Sequence, residues 1–430
     1  MSGDPFGSAD RNLLRELLLL PTVNPLESSE PPARMWQAQR TYARAAESIG
    51  FDIAHHAPPE PAVLERDDVP RTVRDVATAD FLAEQPNLVL RLGPELPPER
   101  TVMFNAHLDT VAGVEPVSCA GDRITGRGAI DAKGPAVALL AGIRAAVAAN
   151  PALGRDVGVL VQIVSGEEGG AMGTYGTRPL VEAGFFGRLN VFCEPTGLRY
   201  LTRATASMTA RIRVDGHGAI DDEPAAGHNA SVLLGFLAQH LARHLDPRDR
   251  PGRCCVAGLH TGAQHNRVYG SGSLLLNLSY ATAREGAEAE RALLAAVRSG
   301  VREFAEIFDR TREFARTAAH AAEILRVDWL KRGLPCLDAA PTWAQDLFAA
   351  AGIKRWPDTL PAFTCDAIWM HGIPDTATAV LGPGSLETNH AHAEGEYADV
   401  AELRDFARAV TSLLTEFTER HHDGARKETT

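Results

Sequence analysis

The chain has 430 residues, of which 45% are hydrophobic and 23% are charged, and its formal net charge is −12. The length predicts two domains, because single cores rarely exceed about 250–300 residues, and the acidic balance argues against nucleic acid as a partner, since phosphates need a basic surface. No apolar run reaches the roughly 20 residues that span a bilayer and the N-terminus does not resemble a signal peptide, so we expect a cytoplasmic protein without a membrane partner.

The first part of the chain alternates helices with short apolar segments that are bounded by turn residues. Apolar segments of this length predict buried strands, and their alternation with helices predicts a layered α/β domain. The predicted helices cover residues 11–20, 35–50 and 135–149, and the predicted strands cover residues 87–92, 101–107, 157–165 and 189–194.

Between His55 and Glu84 the sequence is rich in Pro, Asp and Arg and has no sustained periodicity. This composition predicts a long surface excursion that is partly disordered.

After Arg203 the pattern changes to alternating polar and apolar residues, which is typical of half-buried antiparallel strands. We expect a small α+β domain inserted into the first one. Its predicted strands cover 207–216, 253–262, 273–282 and 322–329, and its helices cover 230–244 and 287–308. A helix over 342–351, a strand over 376–382 and a helix over 399–421 complete the chain. The predicted domains are therefore 1–204 and 333–430 as two parts of one domain, with 205–332 inserted.

Histidine and acidic residues follow several of these strands. In α/β sheets, chemistry gathers outside the carboxyl ends of the strands, so we expect these side chains to lie close together. Taken singly, each is weak evidence, because a strand-end histidine is more often structural and a Glu-Glu pair is usually a solvated turn. Together, two histidines and several carboxylates suit two zinc-like ions that share a bridging carboxylate. The residues are His107, Asp109, Asp131, Glu167, Glu168, Glu194 and, near the C-terminus, His392.

The motifs HLD, GRGAxDxKG, GEEGG, EPTG and GPG…HxxxE occur in this order. The set resembles the two-zinc family of acetylornithine deacetylase, succinyl-diaminopimelate desuccinylase, aminoacylase and glutamate carboxypeptidase, and it extends from Leu14 to about Leu414. The resemblance implies a zinc-peptidase-like, three-layer α/β catalytic domain with an inserted α+β lid, through which two subunits form a homodimer.

The resemblance also implies roles for individual residues. His107 and Glu194 would hold one Zn²⁺, Glu168 and His392 would hold the other, and Asp131 would bridge the two, with Co²⁺ or Mn²⁺ as alternative metals. Asp109 would orient His107, and Glu167 would be the general base. The implied reaction is hydrolysis of an N-acyl or peptide-like amide of a small amino-acid-derived molecule, by attack of a zinc-bound water.

The lid departs from the family pattern at the histidine that stabilises the oxyanion in relatives, because Ile220 occupies that position in VDGHGAIDDEPAAGHNA. His217 and His228 are candidate replacements, although each is as often a surface residue. Asn266 matches the family asparagine that lies near the substrate.

Arginines that bind substrate carboxylates in relatives are also replaced. Ser279 and Ile368 occupy two such positions, which argues against an ordinary acidic amino-acid substrate, although Arg267 or Arg203 could substitute. In GPGSLETNHAHAEGEY, His392 fits the spacing to Glu396, and His390 is the alternative ligand.

These departures leave three functions open. The leading one is amide hydrolysis. A repurposed enzyme for amide formation or cyclisation in a specialised biosynthetic pathway is the second, and a non-catalytic binding protein is the third. The intact Glu167 and complete ligand set argue against the third.

Overall fold

The computed structural model describes residues 4–29, 32–246, 252–338 and 341–427. The chain forms two compact units, one of Met1–Ala204 with Leu337–Thr430 and the other of Thr205–Cys336. Within the described ranges, no helix is both long and apolar enough to cross a membrane.

The first unit begins with elements that mostly follow the predicted pattern. Its helices are α1 (Ser8–Leu18), α2 (Met35–Glu47), α3 (Arg71–Val76), α4 (Ala79–Ala83), α5 (Lys133–Ala149) and α6 (Thr177–Glu182). Its strands up to this point are β1 (Phe51–Ala57), β2 (Asn87–Leu92), β3 (Thr101–His107), β4 (Ser118–Ala120), β5 (Arg123–Thr125), β6 (Gly158–Val164), β7 (Leu189–Phe192) and β8 (Arg199–Tyr200).

The second unit follows, and the chain then returns to the first. The second unit contains β9 (Ala206–Asp215), β10 (Ala219–Ile220), α7 (Ala230–Leu245), β11 (Cys254–His260), β12 (Arg267–Val268), β13 (Ser271–Tyr280), α8 (Ala283–Phe308), α9 (Ala315–Ile324) and β14 (Leu325–Lys331). The first unit ends with α10 (Thr342–Ala350), β15 (Lys354–Arg355), β16 (Ala377–Val380), β17 (Tyr397–Asp399) and α11 (Val400–Lys427).

A six-stranded sheet organises the first unit, in the order β1-β2-β6-β3-β7-β16. The four strands β6, β3, β7 and β16 are parallel, whereas β1 and β2 pair antiparallel at one side. Every residue of β3 and β6 is buried, as expected for strands that are covered on both faces. The carboxyl ends of β6, β3 and β7 therefore lie side by side at one edge of the sheet.

Helices cover one face of this sheet with the main hydrophobic core, to which α1, α2, α5, α10 and α11 contribute. The helix α5 is apolar almost all round because it lies between the sheet and α11. Gly142 of α5 allows this close packing, since a Cβ there would lie 2.5 Å from the carbonyl oxygen of Ala407. On the opposite face, Asn105 of β3 bonds to Thr177 of α6, so the sheet is layered between helices.

The excursion over residues 55–84 is mostly exposed, as predicted, but it is ordered, so only the predicted partial disorder was wrong. Strand β1 extends to Ala57, and the two short helices α3 and α4 follow. Val73 and Leu82 are buried in a small apolar cluster with Tyr175. Val73 and Leu82 alone were too few apolar residues to predict a helix from the sequence. Tyr175, which is distant in the sequence, completes the apolar cluster in which they are buried.

The second unit is a four-stranded antiparallel sheet in the order β11-β13-β9-β14, with α7 and α8 packed against it. Its alternating strand β9 has Ile212 and Val214 buried and Arg211 and Arg213 half-buried. Helix α8 begins at a side-chain N-cap, in which Oγ1 of Thr282 accepts from the N–H of Glu285 at 3.1 Å. Sequence patterns did not predict α9, which turns the chain into β14.

The alternating segment 207–216, together with the helix that follows it, is expected from the resemblance to pair two lids across a two-fold axis. Within the second unit, however, β9 is hydrogen-bonded to β13 on one side and to β14 on the other. A strand with both edges occupied has no free N–H or C=O groups for another subunit. The segment therefore cannot pair through its strand edges, and the free edges of this sheet belong to β11 and β14.

Candidate metal centre

Three neighbouring strand ends bring the predicted residues of the first unit together. His107 is the last residue of β3, Glu167 and Glu168 follow β6, and Glu194 follows β7. His107, Glu168 and Glu194 are buried, and Glu167 is half-buried. The juxtaposition follows from parallel pairing, because parallel strands present their carboxyl ends at one edge.

Asp131 lies between the two predicted histidines. Its Oδ1 is 2.9 Å from Nε2 of His107, and its Oδ2 is 3.0 Å from Nε2 of His392. The Oε1 of Glu194 is 3.7 Å from His107 Nε2, and the Oε1 of Glu168 is 3.0 Å from His392 Nε2. One carboxylate thus faces two imidazoles with different oxygens, and each imidazole has a further carboxylate beside it.

Ligand atoms of His107, Asp131 and Glu168 all lie within 4.8 Å of one another, close enough for one ion to touch them all. The other histidine of this region, His390, has its exposed ring against Tyr397. The geometry therefore favours His392 over His390 as the candidate ligand.

Asp109 holds two parts of the site in place. The Nδ1–H of His107 donates to the backbone carbonyl of Asp109 at 2.8 Å, while the carboxylate Oδ1 is 3.7 Å away. The carboxylate instead accepts the N–H groups of Glu167 and Glu168 at 3.4 and 3.0 Å. Asp109 therefore orients His107 through its main chain and the two glutamates through its side chain.

Asn24, to which the sequence analysis assigned no role, supports these contacts. The side-chain amide of Asn24, fully buried, donates to Asp109 Oδ2 at 2.8 Å and to the carbonyl of Glu168 at 3.0 Å. A single asparagine in the segment PTVNP carries no spacing signal, because its partners lie more than 80 residues away in the sequence.

Glu396 holds the turn that carries Asp131. Its carboxylate, 1% exposed, accepts the N–H groups of Gly128, Ile130 and Asp131 at 3.0, 3.0 and 3.2 Å. It also accepts from Nη1 of Arg127 at 2.8 Å. The H-x-x-x-E spacing to His392 was the only sequence signal for this residue.

The electrostatics of the cluster reflect crowded acidic groups. Burial, together with the charge of Glu168, raises the pKa of Glu167 well above its ordinary value, and burial likewise raises the pKa of Glu194. Hydrogen bonds to Asp131 and Glu168 raise the pKa of His392 to about 10. Burial disfavours the charged form of His107, but Asp131 and the nearby acids still raise its pKa well above 6.5. The site thus attracts positive charge.

The comparisons with known proteins agree with this geometry. The family model of peptidase family M20/M25/M40 matches residues 103–416. The chain belongs to this family. Membership confirms the predicted family and identifies the chain as an enzyme of the metallopeptidase and amidohydrolase class.

Two curated relatives of this M20 chain match it in part. The succinyl-diaminopimelate desuccinylase of Gluconobacter oxydans is 29% identical over 308 residues, which cover 67% of this chain and 71% of the relative. A protein of Aeropyrum pernix, named as a LysW-lysine/LysW-ornithine hydrolase, is 31% identical over 195 residues, which cover 45% of this chain. The chain spans about half of that relative's length, 51%.

A solved structure extends the likeness to the fold. The Bacillus subtilis YXEP protein, a dinuclear metal-binding peptidase from the M20 family, gives a TM-score of 0.60 at 12% identity, over 96% of this chain and 98% of its own. Identity this low shows the fold alone, and it confirms the predicted α/β fold class.

The predicted substrate-contact residues of this M20 chain lie in its second unit. Asn266 and His217 are exposed, whereas His228 is only 4% exposed. Nδ1 of His228 accepts the backbone N–H of His217 at 2.9 Å, and the N–H of His228 donates to the carbonyl of His217 at 2.7 Å. Because Nδ1 accepts, the proton of the neutral ring is on Nε2, which donates to Nδ1 of His320 at 3.0 Å. His228 therefore has no ring nitrogen left for a substrate.

Ile220 and Ile368, which replace family residues in this M20 chain, differ from each other in exposure. Ile220 is 55% exposed and pairs with Arg267 in the two-stranded β10–β12 ribbon. Ile368, at one of the arginine positions, is fully buried and cannot contact a ligand. Of the two arginines that could substitute, Arg203 has its Nη2 at 3.8 Å from Oδ1 of Asp358. Arg267 has no ion pair within the part of the chain that the structure describes.

Proposed function

We propose that this chain is a two-metal amidohydrolase that removes an acyl group from, or cleaves a peptide-like amide of, a small amino-acid-derived molecule. The observation that carries the proposal is the position of Asp131, whose two oxygens face the Nε2 atoms of His107 and His392 at 2.9 and 3.0 Å. A carboxylate that faces two imidazoles in this way is suited to bridge two cations about 3.5–4 Å apart.

The residues fit such a pair of ions. His107 with Glu194 would hold one ion, Glu168 with His392 would hold the other, and Asp131 would contact both. Nδ1 of His107 donates to a backbone carbonyl, so Nε2 is free to act as a ligand when the ring is neutral. Imidazole and carboxylate ligands suit Zn²⁺, with Co²⁺ and Mn²⁺ as alternatives.

When bound, the two ions polarise the scissile carbonyl and make a water molecule more acidic. Glu167 is the residue that we assign as general base. Its carboxylate has no hydrogen bond within the described ranges, and its backbone N–H donates to Asp109. Glu167 takes a proton from the attacking water and passes it to the departing amine, which balances the hydrolysis.

A second candidate uses the same residues for amide formation or cyclisation. The observation that favours it is Ile220, which is 55% exposed and cannot donate a hydrogen bond to an oxyanion. We regard hydrolysis as better supported because Glu167 and all the candidate ligands are present. We further propose a cytoplasmic homodimer with a small-molecule substrate, in which the exposed Asn266 and His217 are candidates for contact with the substrate.

Elemental analysis of metal-replete protein tests the metal site, with Asp131→Ala as the variant that should lose both ions. Wild-type protein that binds no transition metal would overturn the proposal. Amine release from a panel of N-acyl amino acids and dipeptides then identifies the substrate class.

The role of Glu167 is tested separately. Glu167→Gln should leave the metal content unchanged and lower turnover by roughly 10²–10⁴, the range typical of lost acid–base catalysis. Glu168→Gln is the matched control, and it should lose metal. If Glu167→Gln loses metal instead, the two roles are exchanged.

A further inference from the structure

The loop of residues 166–176 carries both Glu167 and Glu168, and we call it the GEE loop. Its near side is held by Asp109, which accepts the N–H groups of both glutamates, and by Asn24, which donates to the carbonyl of Glu168. These contacts fix the main chain at the two glutamates. At the end of the loop, Asn24 also donates to the hydroxyl of Tyr175 at 3.2 Å, and the amide of Asn87 donates to the carbonyl of Tyr175 at 2.8 Å.

The far side of the GEE loop rests on the segment 365–370. The indole N–H of Trp369 donates to the carbonyl of Met172 at 2.6 Å. Asp366, 1% exposed, lies against Gly173, where a Cβ would be only 2.5 Å from its carboxylate. Gly173 has φ +63° and its N–H donates to the carbonyl of Gly166 at 2.8 Å, which closes the loop next to Glu167.

A chain of buried hydrogen bonds connects Asp366 to the strand that carries His107. The side-chain amide of Asn105 donates to Gln162 at 2.8 Å and to Oγ1 of Thr177 at 3.0 Å. Because Thr177 accepts there, its hydroxyl proton is directed to Oδ2 of Asp366, at 2.6 Å. Asn105 and Thr177 are also buried, so the chain links β3, β6, the start of α6 and Asp366.

Oδ1 of Asp366 has no hydrogen-bond partner among the described residues. Burial raises the pKa of Asp366 to about 7, so a neutral side chain of the same shape should satisfy this position. A buried carboxyl group that accepts only one hydrogen bond lowers the stability of the fold, because its second oxygen is unsatisfied. We therefore expect a carboxyl-shaped side chain at this position to have a role beyond stability.

We infer that Asp366 is a positioning residue, which holds the GEE loop from its far side and so fixes Glu167 relative to His107. The catalytic part of this inference rests on the proposed amidohydrolase function. The structural part does not, because it concerns contacts within the loop.

Hydrogen–deuterium exchange of the full chain tests the structural part. In Asp366→Ala, peptides covering 166–176 should exchange about tenfold faster than in the wild type, since a buried hydrogen bond and its packing are lost. Peptides of β3 and β6 should be unchanged. Asp366→Asn keeps the shape and the acceptor for Thr177, and should exchange like the wild type.

Thr177→Val, which removes the hydroxyl that donates to Asp366 and accepts from Asn105, gives a second measurement if Asp366→Ala does not fold, and it should also accelerate exchange of the loop. Wild-type exchange rates in Asp366→Ala or in Thr177→Val would overturn the inference. Equal acceleration in Asp366→Asn and Asp366→Ala would overturn it as well.

Kinetics on the best amide substrate test the catalytic part. Asp366→Ala should lower kcat by about 10²-fold, the effect of a small misplacement of a catalytic group, with KM and metal content within threefold. Asp366→Asn should recover most of kcat, and the exposed control Asp346→Ala should equal the wild type. A kcat of Asp366→Ala within threefold of the wild type would contradict the inference. If the wild type hydrolyses no amide, the proposed function fails, whereas the exchange experiment still decides whether Asp366 holds the loop.

Discussion

The position of Asp131 depends on a residue that contacts no candidate ligand side chain. Glu396 accepts three backbone N–H groups from the turn 128–131, and it is four residues from His392. One buried carboxylate therefore fixes the turn of the bridging residue and lies in the segment of another ligand. Such supporting hydrogen bonds orient the ligands and thereby contribute to metal affinity.

Glu396→Gln should weaken metal binding by about 10–100-fold, the typical cost of losing such a support. The amide has one acceptor oxygen in place of two, and its NH₂ group would face backbone donors. Competition with a chelator measures the dissociation constants. Glu387→Gln, an exposed change in the same segment, is the control and should bind metal normally. Unchanged affinity in Glu396→Gln would show that the turn keeps its conformation without this carboxylate.

At the scale of elements, the second unit presents one sheet edge without charged or proline residues. Strand β11 contains no Pro, Lys, Arg, Asp or Glu, and its Val256 and Leu259 are 40% and 48% exposed. The opposite edge strand β14 carries Arg326 and Lys331, whereas the register is irregular in both edge strands. Unprotected edges pair with other strands, so β11 is the better candidate for contact between subunits.

We expect a homodimer in which β11 pairs with the same strand of a second subunit. The double variant Val256→Lys/Leu259→Lys should be monomeric, because it places like charges across the pairing. Light scattering at micromolar concentration measures the mass. Val114→Lys, a change of an exposed apolar residue in the first unit, should leave the dimer intact. A monomeric wild type, or a dimer that survives the double change, would exclude β11 as the contact.

The contact of His228 with the main chain of His217 makes the second unit sensitive to pH. Burial, with the nearby Arg316, His320 and His217, lowers the pKa of His228 from 6.5. The unfolded chain therefore binds this proton more readily, and the stabilisation is lost as pH falls through 6.5 towards the lowered value.

We expect His228→Asn to be less stable than the wild type at pH 8 and to lose less stability between pH 8 and 5. Thermal unfolding at each pH measures the difference in stability between the variant and the wild type. The contributions of the other histidines are common to both proteins and cancel in this difference. His217→Ala is the matched control, since it keeps both backbone contacts and removes only the neighbouring imidazole, so its pH dependence should lie closer to the wild type than that of His228→Asn. Parallel curves for His228→Asn and the wild type would contradict this assignment.

For the whole molecule, substrate choice is where this chain should differ from its relatives. Ile220 cannot donate to an oxyanion, and a buried Ile368 cannot bind a carboxylate. We therefore expect weak or no hydrolysis of N-acetylornithine and N-succinyl-diaminopimelate, and a preference for a larger or less acidic amide. Loss of one oxyanion donor typically lowers kcat by about 10²–10³.

Ile220→His should raise turnover of these simple substrates if position 220 limits them. Amine release measures the rate, and Ile53→His, at an exposed position in the first unit, is the control and should have no effect. Wild-type turnover of N-acetylornithine at about 1–10³ per second, ordinary for enzymes, would make Ile220 a neutral substitution.

The amino-acid sequence by itself identified the candidate metal ligands and the edge of the sheet at which they lie. The apolar segments 101–107 and 157–165 predicted β3 and β6, because short apolar runs of strand length that are bounded by turn residues are a local signal of buried strands. Parallel pairing then placed His107, Glu168 and Glu194 side by side. The ordered motifs also predicted the family, since they combine several spacings that rarely occur together.

Only the tertiary structure decided how these residues meet. It places His392 beside Asp131, directs the carboxylate of Asp109 to the N–H groups of the GEE loop, puts β9 in the interior of its sheet and packs the segment 55–84 around Tyr175. Each of these depends on side chains that are far apart in the sequence, and their contacts are set by loop conformation and strand register. Local sequence patterns carry no information on loop conformation or strand register. The hydrogen-bond partner of a buried polar group is therefore known only from the folded structure.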